Sequence, residues 1–275
     1  MNTFKNKLKY FSGKDLTLWS SSLALITVSF FLFDRVNYMT YAASVIGATS
    51  LIFNAKGNPF GQFLMIVFSL LYGIISYSFS YYGEMITYLG MTGPMALFAL
   101  IAWIKNPCNG NKAEVKVNQI TRKELLAMYM LSIAVTVVFF FILKAFKTSN
   151  LALSTLSVTT SFIAVYLTFR RSAFFALAYA ANDIVLILLW MLAAKEDISY
   201  MSVLICFIIF LANDIFGFIS WIHMGKRSVL QPCLHKRIPH RYPFSMYIII
   251  IPRQSRGFCM CGQSPRILAC ALAGA

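Results

Sequence analysis

An all-α integral membrane fold of about eight helices is what this sequence predicts, and three observations predict it. Of its 275 residues, 59% are hydrophobic and only 12% are charged, about half the charged share of a soluble domain. The apolar residues fall in stretches of the roughly 17–25 residues that a bilayer-crossing helix needs. The Lys and Arg residues gather on alternate loops between those stretches.

Eight stretches run 16–33, 38–55, 60–82, 85–104, 124–144, 151–169, 173–194 and 200–222. Turn or charge signals separate them: Asp34-Arg35, Lys56-Gly57-Asn58-Pro59, Gly83-Glu84, Arg170-Arg171 and Lys195-Glu196-Asp197. Barrel strands would instead be short and alternate polar with apolar residues, and no such alternation is present. A Lys-rich start precedes the first stretch, and no small-residue cleavage site follows it, so it is expected to remain as a helix.

Placing the termini and every second loop on one side collects fourteen of the eighteen Lys and Arg before residue 228 there. The other side keeps Arg35, Lys144, Lys147 and Lys195. That asymmetry predicts an even number of spans with both termini in the cytoplasm. It also accounts for the net charge of +15 as loop charge that sets orientation, with no nucleic-acid partner implied.

The spacing has order. Residues 1–15 form a short cytoplasmic start and 16–227 the transmembrane domain. After the first helix, three closely spaced helices (38–104) are followed by a lone helix (124–144) and three more (151–222). One inverting helix between two odd-numbered bundles gives both bundles the same orientation. Parallel repeats of this kind hold substrate near the midplane between them. Lys56 and Arg170 close the first helix of each bundle, and Ala102-Trp103-Ile104 and Ser220-Trp221-Ile222 end the third.

Of nine acidic residues, Asp183 and Asp214 fall well inside predicted helices, each preceded by Asn: Asn182-Asp183 and Asn213-Asp214. A charge at the bilayer centre costs about 2.5–3.5 kcal/mol on insertion scales, so each needs a partner or a wet cavity. Interhelical hydrogen bonding is the plainer use of such residues. Two pairs at one depth on neighbouring helices point to a polar site. Tyr179 stands one turn before Asp183 on the same helix face and Trp190 two turns after it. Tyr72 and Tyr77 lie in the third stretch, with Ser69 a turn before Tyr72. Gln62 is expected to meet solvent near its helix end.

Motifs for chemistry are absent. There is neither a G-x-x-x-x-G-K-[ST] loop nor G-x-G-x-x-G. His223, His235 and His240 sit at or beyond the last stretch, and Cys259-Met260-Cys261 lacks a second ligand pair at zinc spacing. No enzyme, metal or cofactor is implied.

The run Leu71-Tyr72-Gly73-Ile74-Ile75-Ser76-Tyr77, the run Tyr82-Gly83-Glu84-Met85, Trp103, Ala178-Tyr179-Ala180-Ala181-Asn182-Asp183 and Asn213-Asp214-Ile215-Phe216-Gly217-Phe218 carry a resemblance. Over about residues 15–227 the chain resembles the PnuC family of bacterial nicotinamide riboside transporters. The resemblance implies a three-plus-one-plus-three helix core like a SWEET transporter, with the first helix an addition, in the bacterial cytoplasmic membrane. It implies a homotrimer and facilitated diffusion of nicotinamide riboside, trapped as its phosphate by a separate cytoplasmic kinase for NAD biosynthesis. The family's W-x-x-W motif is replaced here by Phe175 and Ala178, while the following Asn is kept as Asn182. Thiamine, riboflavin or a deoxynucleoside therefore stay open as cargo, as does a role as the membrane-embedded binding subunit of a larger transporter. The residues expected to bind substrate are Asn182, Asp183, Asn213, Asp214, Tyr72, Tyr179 and Trp190. Residues 228–275 are basic, Pro-broken and unlike the family, and are expected to be a disordered or surface-lying, non-native tail.

Overall fold

The structure is a computed structural model, and it describes residues 10–78, 82–108, 110–148 and 150–237, with only the backbone for 228–237. Eight helices are present among them: α1 (Gly13–Phe33), α2 (Tyr38–Ala55), α3 (Pro59–Ser78), α4 (Tyr82–Lys105), α5 (Arg122–Ala145), α6 (Leu151–Phe169), α7 (Phe175–Ala194) and α8 (Met201–Arg237). Seven are long and apolar enough to cross a membrane. The eighth, α2, carries Tyr, Ser, Thr and Asn, which it can afford because it packs between α1, α3 and α8 and buries more than half of its residues.

The predicted stretches 38–55 and 151–169 coincide with α2 and α6. The end predicted at 82 moves to Ser78, and the next helix starts at Tyr82, ahead of Glu84 rather than after it. The reason is local: Glu84 in the first turn suits the positive end of a helix, so the carboxylate belongs to the helix and not to the break. Helix α8 continues unbroken to Arg237, past the expected boundary at 227. The remainder of the expected tail, with His240 and the Cys-Met-Cys motif, lies outside the described residues.

Helix ends are built from their sequences. Ser12 and Asp15 form a reciprocal capping box at α1, and Thr121 and Glu124 form another at α5. Asp15 is buried at that end and pairs with Lys56 of the α2–α3 turn at 2.5 Å. Glu124 also pairs with Arg170 of the α6–α7 turn.

The face carrying these turns, on the side of the N-terminal end of α1, is tied together by a matched set of bonds. The Trp103 indole, near the end of α4, donates to the Thr168 carbonyl, one residue before the end of α6, at 3.0 Å. The Trp221 indole donates to the Asn54 carbonyl, one residue before the end of α2, at 2.7 Å. Each of those helices ends in the same turn. Gly57 and Arg171 take left-handed backbone (φ 65 and 57), and Asn58 and Ser172 donate back to Phe53 and Leu167. Arg171 carries a Cβ in a conformation that glycine adopts without cost. The linker after α4 then staples both turns. Val115 N–H donates to the Gly57 carbonyl and Asn118 N–H to the Arg171 carbonyl, each at 2.9 Å. That linker contains a two-stranded antiparallel hairpin, β1 (Pro107–Cys108) and β2 (Asn111–Val115), closed by Gly110 at positive φ.

One prediction follows from the matched bonds. Trp103→Phe and Trp221→Phe each keep a buried ring and remove one N–H···O=C bond, leaving a buried carbonyl short of a donor. Each should lower stability in detergent by about 1–2 kcal/mol. Thermal unfolding of the two variants checks this, and no loss in either would mean these bonds do not tie the helices.

Candidate functional site

Six helices converge on a small enclosed cavity at mid-depth. Its walls are Leu51 of α2, Met65 and Phe68 of α3, Tyr88 and Thr92 of α4, Ser161 of α6, Tyr179, Asn182 and Asp183 of α7, and Phe207, Phe210 and Asp214 of α8. The space measures about 30 Å³, room for a water or two and far less than the roughly 300–1,000 Å³ of a ligand pocket. The site is therefore closed over, and a cargo the size of a nucleoside enters only when the helices part.

Asp183 and Asp214 both line this cavity, within electrostatic reach of each other. Both are almost fully buried, and no Lys or Arg lines the space among the described residues. Asp183 Oδ2 has no protein donor among the described residues. Asn182 is held by its oxygen, which accepts from Thr160 Oγ1 at 2.8 Å and Ser161 Oγ at 3.0 Å. Its NH2 end is left as the donor for the cavity. The α4 wall is shaped by a π-helical stretch, Tyr88–Thr92. The wider turn brings Tyr88 and Thr92 to the same wall, and such insertions recur at functional sites. Gly47 of α2 makes room for the Phe210 ring: a Cβ there would stand 2.4 Å from Phe210 Cζ.

Of the seven residues expected from the sequence, four line the cavity: Asn182, Asp183, Asp214 and Tyr179. Asn213 turns away. Its amide donates to Ser22 Oγ of α1 at 3.0 Å and to the Ile209 carbonyl at 2.8 Å. The first helix thus braces the residue beside Asp214. Tyr72 and Trp190 form an adjoining aromatic layer, with Tyr72 4.4 Å from Tyr88, 5.9 Å from Phe207 and 6.4 Å from Trp190, centroid to centroid. Tyr77 is exposed on the outside of α3. Gln62, expected at solvent, is buried and donates to Asn54 Oδ1 at 2.9 Å; the end of its helix is covered by the neighbouring turn. Phe175, at the first position of the altered motif, packs edge-on against Trp221 at 4.7 Å and near Trp103 at 6.2 Å, below the cavity rather than in its wall.

Sequence reasoning missed Leu51, Met65, Phe68, Tyr88, Thr92, Ser161, Phe207 and Phe210. Their spacing at three and four residues along α3, α4 and α8 marks a buried face but does not separate cavity wall from core. A larger groove of about 920 Å³ opens near the linker between Val117 and Ile120, α5, α6 and α8. Its walls are mainly apolar, Lys226 supplies the one cation, and no expected site residue is in it. The carboxyl pair and the held amide make the smaller cavity the functional candidate.

A multi-pass helix bundle enclosing a polar cavity at mid-depth fits a membrane transporter, and the family match bears on that class. Residues 37–223 match the family model described as nicotinamide mononucleotide transporter, and the chain belongs to that family, one of transporters rather than enzymes. The nicotinamide riboside transporter PnuC of Neisseria mucosa (strain ATCC 25996 / DSM 4631 / NCTC 10774 / M26) is 26% identical over 215 residues, 76% of this chain and 81% of that protein. The crystal structure of the vitamin B3 transporter PnuC superposes with a TM-score of 0.69 at 24% identity, covering 79% of this chain and 94% of that one. The likeness in fold supports the all-helical membrane architecture.

Asn182→Leu removes the acceptor that holds Thr160 and Ser161 together and the donor offered to the cavity. It should cost about 1–3 kcal/mol of stability and abolish cargo binding while leaving membrane insertion intact. Binding calorimetry on the purified variant checks this. Undiminished binding would move the site away from α7.

Proposed function

We propose that this chain carries nicotinamide riboside across the bacterial cytoplasmic membrane by facilitated diffusion, with a separate cytoplasmic kinase trapping the product. The observation that supports it most is the charge of the cavity: two facing carboxyls, an amide donor, aromatic rings and no cation. A pyridinium ring is positive and flat. Carboxylates favour its charge, phenyl and phenol faces favour its shape, and Asn182 suits a carboxamide. The ribose hydroxyls find Thr92, Ser161 and the carboxyl oxygens within the same walls.

The family description and the curated relative's name differ by one phosphate. The charge of the cavity supports the form without the phosphate. A phosphate brings about two negative charges beside two buried carboxyls, with no Lys or Arg to receive it. Like charges forced together cost several kcal/mol. The nucleoside is therefore the cargo, and phosphorylation inside the cell yields a form the site no longer accepts, which makes trapping effective.

The absence of a nucleotide-binding loop in the sequence supports passive transport. We place both termini in the cytoplasm on the distribution of Lys and Arg. Helices α2–α4 and α6–α8 are then parallel repeats about an axis along the membrane normal, with α5 inverting between them. The reciprocal Trp103–Thr168 and Trp221–Asn54 bonds support this, because each joins the third helix of one bundle to the first of the other at matching positions. The chain is proposed to form a homotrimer, with the outward face of α5, exposed over most of its length, available for contact with a second copy or with lipid.

Calorimetry with nicotinamide riboside, its mononucleotide, thiamine and a deoxynucleoside tests the reading. The riboside should bind at least about a hundredfold tighter than the mononucleotide. Equal binding of the two, or preference for a neutral deoxynucleoside, would overturn it. In vesicles with no ion gradient, no membrane potential and no internal kinase, uptake of riboside should stop at equal concentrations on both sides. Accumulation of unmodified riboside there would exclude facilitated diffusion.

A further inference from the structure

Glu84 is a buried carboxyl that the central cavity does not use. It is 3% exposed, in the first turn of α4 at the face away from the termini, and its Oε2 meets no donor among the described residues. It has no ion-pair partner among them, and Lys144 and Lys147 at the same face point outward. An unpaired carboxylate out of water is unfavourable, so its retention calls for a use.

The packing of α3 on α4 supplies one. Ser69 stands opposite Gly93, and Gly73 opposite Leu89. That antiparallel register brings Ser76 within a turn of Glu84. Ser69 and Ser76 are fully buried, and their hydroxyls have no partner among the described residues either. Glu84 also lies within electrostatic reach of the Tyr72 and Tyr88 phenols. A line of polar groups thus runs along one seam, from Thr92 at the cavity past Tyr72 and Tyr88 to Glu84. Eight residues of helix separate Thr92 from Glu84, about 12 Å.

We propose that Glu84, with the Ser76 hydroxyl, is a second binding station for an organic cation, which receives the positively charged ring of the cargo between the face away from the termini and the central cavity. It rests on the reading of the cargo as a pyridinium nucleoside. The Tyr72 and Tyr88 rings close the seam in the present state and swing aside to let the ring pass. The first-turn position keeps the carboxylate favourable while the station is empty of cargo, and the cation then takes up the free Oε2.

The test compares nicotinamide riboside with its reduced form, which has the same ribose and carboxamide but an uncharged ring. In vesicles, Glu84→Gln should slow initial uptake of the cation roughly tenfold, as expected for loss of one charge-assisted contact, and that of the neutral form less than about twofold. Binding of the riboside to the purified variant should survive, since the central cavity is untouched. Equal slowing of both cargoes, or of neither, overturns the station while leaving the proposed function standing. Failure of the unaltered protein to bind the riboside overturns both. Should Glu84→Gln not assemble, Glu84→Cys provides a second readout. A small cationic thiol reagent should modify residue 84, and bound riboside should slow the reaction, with the unaltered protein as control for native cysteines. No modification at residue 84, or no protection, overturns the station.

Discussion

Two carboxyls meet at mid-depth, Asp183 of α7 and Asp214 of α8, and much of the bundle serves to keep them there. Each costs about 2.5–3.5 kcal/mol to place in a bilayer if left alone. No cation offsets them among the lining residues. What holds them is geometry: Asn182, locked by two hydroxyls of α6, fixes the rotation of α7. Asn213, locked by Ser22 of α1, fixes that of α8. Each Asn-Asp pair thus divides its labour, with the amide or its neighbour anchoring and the carboxyl facing inward. The first helix, an addition to the core by resemblance, is by this contact part of the frame around the site.

A site that must open cannot be rigid on all sides. The face near the N-terminal end of α1 is the better tied, by two indole–carbonyl bonds, the linker's two amide bonds to the turns, and ion pairs at Lys56 and Arg170. Toward the other face the seam between α3 and α4 is held by ring contacts around Tyr72, and its Ser69, Tyr72 and Ser76 hydroxyls have no partner among the described residues. Buried hydroxyls without partners each cost about 1–3 kcal/mol, so that half of the bundle is the one with less to lose on opening.

The membrane fold was legible because its signal is coarse. Length and apolarity decide a span, and α2 and α6 were bounded to the residue. Asp183 and Asp214 were legible for the same reason, since a carboxylate stands out in an apolar run. Tyr179 followed from its place one turn from Asp183. Glu84 was hidden because a charged residue at the edge of an apolar stretch looks like the end of a helix. Gln62 was hidden in the same way. Asn213 and Ser22 are 191 residues apart, and nothing in a single sequence pairs them. The aromatic walls were illegible because Phe in a membrane helix packs against lipid, core or cavity with the same periodicity. The π-helical stretch at Tyr88–Thr92 shifts the buried face in a way a constant 3.6-residue repeat does not anticipate.

The central claim is that the facing carboxyls select the cargo by its charge. The most direct measurement is the ratio of affinities for nicotinamide riboside and its uncharged reduced form, in the unaltered protein and in a variant carrying Asp183→Asn and Asp214→Asn. Amides keep the size and the hydrogen-bonding capacity of both side chains while removing the charge. The account predicts at least about a tenfold preference for the cation in the unaltered protein and none in the variant. A preference for the cation that survives both substitutions would contradict it.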